Sequence, residues 1–410
     1  MSWHYGPMLS AERTRWICER ARAEGFDLCG VAPVNVRGAS ANHPAPGSEE
    51  LSRLPDWLAR GYAGEMNYLN DPRRGDPARI LDGARSLVVV AMNYNTAYPN
   101  STDVLPDSVR ANGPADAPRG WISRYAWGDD YHEVLGEKLE ALVAAMHAQF
   151  PEAFDACFYA DTGPVIERIA AKYAGLGWLA KNTCLINEQI GSWMFLGVIV
   201  TTLELAPSLE PGEPPAPDLC GNCRLCLDAC PTQAFPEPYV MDARRCIAYL
   251  TIELRSAIPE EFRADMGRAV IGCDICQDVC PWNRKAPVSQ LAAFQPRDAA
   301  NAVENGNEKM ENGAHSLFAP DLEWLASLTQ EDFSRIFRGS AAKRAKWRGL
   351  VRNACVALGN SRITRESEAY RRISLLLSRL ADSDDALIAE HARWALAKLS
   401  LQRPFVGFSG

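Results

Sequence analysis

"CGNCRLCLDACP" (residues 220–231) sets Cys220, Cys223, Cys226 and Cys230 in the run C-x2-C-x2-C-x3-C-P. "CDICQDVCP" (273–281) repeats most of that run with Cys273, Cys276 and Cys280, and Cys246 stands between the two. Eight thiolates are what two four-iron clusters require. In this spacing three cysteines wrap one cubane, while the fourth, redirected by its proline, reaches the other. One cluster then takes Cys220, Cys223, Cys226 and Cys280, and the second takes Cys230, Cys246, Cys273 and Cys276. The alternatives are two structural zinc sites, which need no C-x3-C-P ending, or a disulfide framework, which belongs to an oxidising compartment.

The rest of the composition agrees with a reducing one. The chain has 410 residues, 47% hydrophobic and 23% charged, the profile of an ordinary globular protein with about two or three domains. Its net charge of -8 argues against a uniformly basic nucleic-acid binder but leaves room for a local basic face. No apolar run approaches the roughly 18 residues of a membrane span. The start, "MSWHYGPMLSAERTRWICERARAEG", has neither an apolar h-region nor paired arginines ahead of one. A cytoplasmic protein with no membrane partner is expected. Of the thirteen cysteines, Cys18, Cys29, Cys157, Cys184 and Cys355 sit in apolar periodic contexts and read as small core hydrophobes.

Upstream of the cysteines, strand-like and helical patterns alternate: a helix over 10–22, the strand-like "FDLCGVAPV", the helical "LPDWLARGYAGEMNYL", the buried-strand run "SLVVVAMNY", the helical "DDYHEVLGEKLEALVAAMHAQF" and the strand "DACFYA". Residues 95–120, rich in Pro, Asn, Asp and Ser, read as a surface insertion. Residues 204–219 hold five prolines in sixteen and read as an extended connector. Residues 295–316 are polar and read as a second linker. Helical patterns over 343–358, 368–380 and 386–399 close the chain. The expected fold is α+β multidomain: an α/β domain over 1–205, an inserted two-cluster ferredoxin-like module over 206–294, and a C-terminal α-helical, HEAT-like domain over 317–410.

Two adjacent clusters make a short electron wire, and a wire needs a terminus. There is no G-x-G-x-x-G between strand and helix and no P-loop, so the sink is a cofactor held some other way or a partner protein.

Asp161 draws attention in "FYADTGPVIERIAAKYAGLGWLAKNTCLI" (158–186). Thr162 is the better N-cap and Pro164 suits a first helical turn. Val165, Ile169, Tyr173 and Leu176 would form the buried stripe. That frees Asp161 from capping and leaves it at the end of a strand, where α/β folds place working side chains.

"DTGPVIERIAAKYAGLGWLAKNTCLI", "GSWMFLG", "CGNCRLCLDACPTQAF", "GCDICQDVCPWN" and "KRAKWRGLVRNACVALGN" together resemble the epoxyqueuosine reductases, from about residue 10 to the C-terminus apart from 95–120 and 295–316. The resemblance implies a cobalamin-dependent oxidoreductase that reduces epoxyqueuosine to queuosine at the wobble position of tRNA. Cobalamin in the first domain would be fed by two 4Fe-4S clusters, with Asp161 as proton donor. Cobalt can collect two electrons where each cluster passes one, which accounts for both cofactors. By motif, the corrinoid pocket would involve Arg74, Ser123, Arg124, Asp161, Lys181, Asn182, Leu185, Leu196, Asp274 and Ile275, with Tyr125, Tyr131 and His132 nearby. No D-x-H-x-x-G motif appears, so no protein histidine is expected beneath cobalt. The partners implied are a tRNA carrying epoxyqueuosine in its anticodon and an electron donor of flavodoxin or ferredoxin type. The chain itself is expected to be a monomer.

Between Phe333 and Arg365 nine residues are Arg or Lys and none is acidic. Lys343, Arg344, Lys346, Arg348 and Arg352 are the expected RNA-binding set, with Trp347 available to stack on a base; the competing reading is a solvated helix face. Asn353 and Asn360 are expected to be structural. Two other functions fit parts of the pattern. A corrinoid and iron-sulfur enzyme of reductive-dehalogenase type would ordinarily carry a twin-arginine signal, and a ferredoxin-like electron carrier would have no use for the 200 residues ahead of the clusters.

Overall fold

Two mainly apolar runs, "SLVVVAMN" and "MFLGVIVT", become the central strands of a four-stranded sheet. The computed structural model describes residues 8–34, 47–103, 117–210, 212–297 and 316–401. Its strands are β1 (Leu28–Pro33), β2 (Ser86–Asn93), β3 (Trp121–Ile122), β4 (Ala156–Tyr159), β5 (Trp178–Leu179), β6 (Leu185–Ile186), β7 (Met194–Thr201) and β8 (Ala269–Ile271). The sheet runs β1-β2-β7-β4 with every pairing antiparallel, in a register that sets Val90 opposite Gly197.

Both faces of the sheet are covered, which is why its middle strands are apolar on successive residues from Leu87 to Met92 and Met194 to Val200 rather than alternately. Val88, Val90 and Met92 face helices Ser10–Ala23 and Tyr131–Gln149 through Ile17, Leu135, Leu139 and Leu142. Val89 and Ala91 face the short helix Glu167–Tyr173 through Ala170 and Ala171. Each such buried aliphatic contributes roughly 1.5–3 kcal/mol. Gly197 allows the close approach: a Cβ there would lie 3.0 Å from Leu139 Cδ1 and 3.1 Å from Val90 Cγ2.

The cysteine module joins this domain through the parallel pair β3–β8 and the hydrogen bonds around it. Its two cysteine helices, Leu225–Asp228 and Ile275–Asp278, pack on each other. The expected helices over 343–358, 368–380 and 386–399 are Lys346–Gly359, Glu368–Ala381 and Ala386–Ser400, and Lys343 falls instead in the 3-10 turn Ala341–Ala345. Helix Lys346–Gly359 is buried along most of its length. The main apolar core runs without a break from Ile17 through Ile271 into Leu350, Ile373 and Leu399. Among the described residues no helix is long and apolar enough to cross a membrane.

Two sequence expectations change here. The stretch read as a surface insertion starts buried: Asn95 and Thr96 are 8% and 4% exposed, because Asn95 donates to the Ala286 carbonyl and Thr96 accepts from Arg124. Its part over 104–116, and 298–315 of the second polar stretch, lie outside the described residues. The helix after Asp161 begins only at Glu167, so Thr162 is not its N-cap. Pro164 and Val165 are buried against the sheet, and the chain must pass over Tyr159 so closely that a Cβ on Gly163 would lie 2.2 Å from its ring.

Candidate active site

Strand β4 ends at Tyr159, and two residues later Asp161 turns left-handed, with φ +61°. This is an uncommon conformation for a residue with a side chain, although Asp tolerates it better than most. Glu167 at the helix start accepts from the Asp161 N–H through Oε1 at 3.1 Å, and the Thr162 N–H donates to the Ala160 carbonyl at 2.7 Å. The turn aims the Asp161 carboxylate back across the sheet end at helix Tyr131–Gln149. There Tyr131 Oη donates to Asp161 Oδ2 at 2.7 Å, and His132 Nε2 lies 3.8 Å from the same oxygen.

His132 is held from the other side by Asp130, whose Oδ1 lies 2.6 Å from Nδ1 and also caps the helix by accepting the His132 N–H. Rings support the pair: His132 stacks on Tyr131 at 4.0 Å, Tyr131 on Phe195 at 4.3 Å and Phe195 on Tyr94 at 4.3 Å. Such a column keeps the donors in one orientation.

The electrostatics follow from these contacts. Burial disfavours the Asp161 anion, yet the hydrogen bonds from His132 and Tyr131 outweigh it and hold the carboxyl at about 2. Burial also disfavours a charged His132, but Asp130 and Asp161 together raise it to about 9. Burial and then the Asp161 charge push Glu167 up to about 7. Burial and the neighbouring carboxylate drive the Tyr131 phenol far upward, so it donates a hydrogen bond without ionising. The Asp161 side chain is nonetheless 69% exposed while protein surrounds it at longer range, the situation of a group projecting into an open recess. Arg168, also exposed, reaches into the same surroundings and donates to the Thr183 carbonyl at 3.0 Å.

The cysteine sulfurs lie in two neighbourhoods. Burial and then the Cys280, Cys220 and Cys223 sulfurs raise the Cys226 thiol to about 11. Burial and then Cys246 raise Cys273, with Cys230 adding to the effect, and Cys276 faces Cys273 and Cys246. Two facing sets of four result, each joining segments from both helical turns. Among the described residues no three potential ligands converge as they would on one metal ion. Cys184 is more than core filler, since its thiol faces Cys276.

Several residues expected around the corrinoid have other employment. Lys181 donates to the carbonyls of Gly221 and Cys223, the latter at 3.0 Å, and so braces the first cysteine loop. Asn182 is buried and donates to the Cys276 carbonyl at 3.2 Å. The Asp274 carboxylate is consumed by Ser123 Oγ, the Arg124 N–H at 2.8 Å and Trp121 Nε1 at 3.1 Å. The Arg124 guanidinium lies between Trp127 and Trp193 and donates to Thr96, Tyr98 and Asn100. Ser123, Arg124 and Asp274 are 1–3% exposed and engaged chiefly with one another and with Thr96, Tyr98 and Asn100, the Arg124 Nε alone among their polar atoms lacking a partner. Leu185 is buried and Leu196 partly buried in the sheet's second core, and Ile275 is half-buried at the start of the second cysteine helix. Arg74 is half-buried, lies near Glu167, donates to the Tyr68 carbonyl at 3.3 Å and sits 5.5 Å from the Tyr68 ring.

On the basic segment, Lys343, Arg344, Lys346 and Arg348 are exposed, with Arg344 paired to Glu253 and Arg348 to Asp385. Arg352 is a correction. It is 0% exposed and donates to the Leu250, Leu254 and Ser256 carbonyls, because its position on the helix faces the cysteine module rather than solvent. Trp347 likewise turns inward, giving its N–H to the Leu328 carbonyl at 2.7 Å. Asn353 and Asn360 are structural as expected, tying Thr251 and Val270, and Arg263 and Gly267, to the helix.

Three residues at the site escaped the sequence reading: Tyr68, Glu167 and Arg168. Tyr68 is 47% exposed and lies between Arg74 and Arg344, 5.5 and 5.7 Å from its ring centre. Only Glu167 and Arg168 left a signal, as the charged pair directly after "DTGPVI".

Residues 74–162, which end on this turn, match the family described as "Epoxyqueuosine reductase QueG, DUF1730", and residues 219–283 match "4Fe-4S double cluster binding domain". Over 350 residues the chain is 43% identical to the epoxyqueuosine reductase of Gloeobacter violaceus, covering 84% of this chain and 95% of that one. The chain belongs to the epoxyqueuosine reductase family. A second epoxyqueuosine reductase, from Xanthomonas campestris pv. campestris, is 34% identical over 398 residues, 96% of this chain and 98% of that one. Among solved structures, an epoxyqueuosine reductase with an epoxyqueuosine-modified tRNA-Tyr stem loop matches at TM-score 0.74 and 26% identity, over 94% of this chain and 89% of that one. The epoxyqueuosine reductase of Bacillus subtilis, captured with its catalytic aspartate loop swung out of the active site, matches at TM-score 0.73 and 26% identity, over 94% of this chain and 90% of that one. Membership makes the chain an oxidoreductase and sets aside the dehalogenase and carrier readings.

Proposed function

We propose that the chain reduces epoxyqueuosine at the tRNA wobble position to queuosine, with Asp161 delivering protons to the departing oxygen. The observation that carries this is the Asp161 carboxylate, exposed into a recess yet held by Tyr131 at 2.7 Å and faced by His132 at 3.8 Å. Opening an epoxide without an acid would release a poor alkoxide, and protonating it there is worth roughly 10²–10⁴ in rate.

The recess fits a cobalamin on two counts. The exposed Asp161 carboxylate projects from the end of the sheet, and the Asp274 carboxylate behind it is engaged by Ser123 and Arg124, which suits a large ligand bringing its own polar rim. Arg74, Asp161 and Arg168 would border it, with Leu185 and Leu196 supporting the floor. When bound, a corrinoid would supply the two-electron nucleophile that single-electron clusters cannot. The cysteine sets would hold the two 4Fe-4S clusters, Cys220, Cys223, Cys226 and Cys280 for one and Cys230, Cys246, Cys273 and Cys276 for the other, filled by an external donor of flavodoxin or ferredoxin type.

The chain's own residues do the rest. Tyr131 orients Asp161, Glu167 fixes its turn, and Lys343, Arg344, Lys346 and Arg348 offer the stem loop a basic approach with Tyr68 at its inner end. The test is anaerobic reconstitution with iron, sulfide and cobalamin, followed by mass spectrometry of an epoxyqueuosine-modified anticodon stem loop. Loss of one oxygen is expected for the wild type. Asp161→Ala should keep the cluster and corrinoid absorption bands and lose the product; full activity in that variant would sink the acid role.

A further inference from the structure

Removing an epoxide oxygen as water breaks two C–O bonds and forms one C=C bond and two O–H bonds. It consumes two electrons, from the low-potential donor through the clusters, and two protons. Both protons end on the same oxygen, but a carboxyl carries only one. Asp161 therefore has to be recharged within a single turnover.

We propose that His132 is the residue that recharges it, passing its Nε2 proton to Asp161 Oδ2 while Asp130 holds the ring at Nδ1. This rests on the reading of Asp161 as the acid. In the first protonation the Asp161 O–H bond breaks as the oxygen leaves its first carbon. The His132 Nε2–H bond then breaks, an O–H forms on Asp161, and a neutral imidazole remains with its Nδ1–H on Asp130. The second proton goes from Asp161 to the hydroxyl, which departs as water. His132, with 32% of its side chain exposed, regains its proton from solvent.

The geometry selects His132 over its neighbours. It alone bridges two carboxylates, at 2.6 Å to Asp130 and within 3.8 Å of Asp161, so its charged form is the one the site stabilises. Tyr131 is closer to Asp161 but its phenol is driven away from ionisation. Glu167 contacts the Asp161 backbone N–H rather than its carboxylate. Around the ring stand Asp130 at the helix cap, Asp161 from the loop after β4, Tyr131 stacked beside it, and Lys343, whose charge acts on Asp130 from the turn Ala341–Ala345. With Asp161 held at about 2 and His132 at about 9, the resting proton sits on the imidazole; as substrate covers the recess and raises the carboxylate, Asp161 takes its first proton from solvent and His132 keeps the second. His132 acts through Asp161 and is thus a positioning and proton-supplying residue.

The experiment uses reconstituted holoenzyme and the modified stem loop. His132→Ala should lower kcat about 100-fold with KM changed less than about threefold, and added imidazole should restore at least a tenth of the lost rate with saturation. Asp161→Ala should lose activity that imidazole does not restore. Wild-type kcat in His132→Ala, or a loss that saturating imidazole leaves untouched, would overturn the relay. Should His132→Ala fail to fold, carbon-labelled histidine NMR on the wild type and Asp161→Asn decides: His132 should titrate well above an ordinary histidine and move down in Asp161→Asn, and an ordinary, unmoved titration would overturn the relay. Full activity of Asp161→Ala would remove the acid reading itself, whereas an inactive Asp161→Ala beside an undiminished His132→Ala would remove only the relay.

Discussion

The Tyr131 hydroxyl donates to the Asp161 carboxylate across 2.7 Å, joining the first turn of a sheet-covering helix to a left-handed turn at a strand end. That bond favours the anion. Tyr131→Phe should therefore raise the Asp161 pKa and move the alkaline limb of kcat, where the protonated acid of the substrate complex is lost, to higher pH. A hydrogen bond to a charged group is worth about 1.5–3 kcal/mol, a shift of about one to two pH units. A pH–rate profile on the stem loop checks it.

Cys280 follows Cys273 and Cys276 in sequence but faces Cys220, Cys223 and Cys226 in space. Cys280→Ala should accordingly cost the cluster held mainly by the earlier run and leave the one at Cys230, Cys246, Cys273 and Cys276. Iron analysis with EPR of the reduced protein should show about half the iron and one cluster signal.

Exposed Arg344, Lys346 and Arg348 should weaken stem-loop binding when replaced together by Ala. Three phosphate contacts would flatten the log–log salt slope by about 2. Because Glu253 and Asp385 already engage two of the three cations, the change should fall below that figure, nearer 1. Binding titrations across salt concentrations measure it, and an unchanged affinity would return the segment to a solvated face.

Arg352 should behave differently. Arg352→Ala leaves the Leu250, Leu254 and Ser256 carbonyls without their donor in a dry interface, at a cost of about 3–5 kcal/mol. Chemical denaturation should register the loss, and the salt slope of RNA binding in protein that remains folded should not change.

His391 is 0% exposed, accepts the Ile258 N–H at Nε2 and lies 2.7 Å from the Leu387 carbonyl at Nδ1, an arrangement only the neutral ring satisfies. Burial, with Arg263 and Arg352 nearby, lowers it to about 4. A folded pKa below the unfolded 6.5 means its contribution is complete above pH 6.5 and is lost as pH falls toward 4, on the order of 3 kcal/mol. Melting curves between pH 7 and 4 should fall less steeply for His391→Gln than for the wild type.

The sequence by itself determined what depends on local spacing. C-x2-C-x2-C-x3-C-P fixes three thiolates around one centre and throws the fourth away from it, so the two sets could be sorted before any fold was known. The run at 86–94 announced a buried strand because only Ser86 and Asn93 interrupt its apolar residues. Tertiary structure decided which side chains still have a free end. Arg352, Trp347, Lys181 and Asp274 carry the same functional groups as residues that bind ligands, and only their partners, 19 to 153 residues distant in the chain, reveal that their hydrogen bonds are spent. The setting of Asp161 is of the same kind: the helix that a local reading capped at Thr162 is capped four residues later, at Ile166, and the groups that fix its charge, Tyr131 and His132, come from a helix about 30 residues earlier. Ionisation depends on through-space distance, which sequence spacing does not encode.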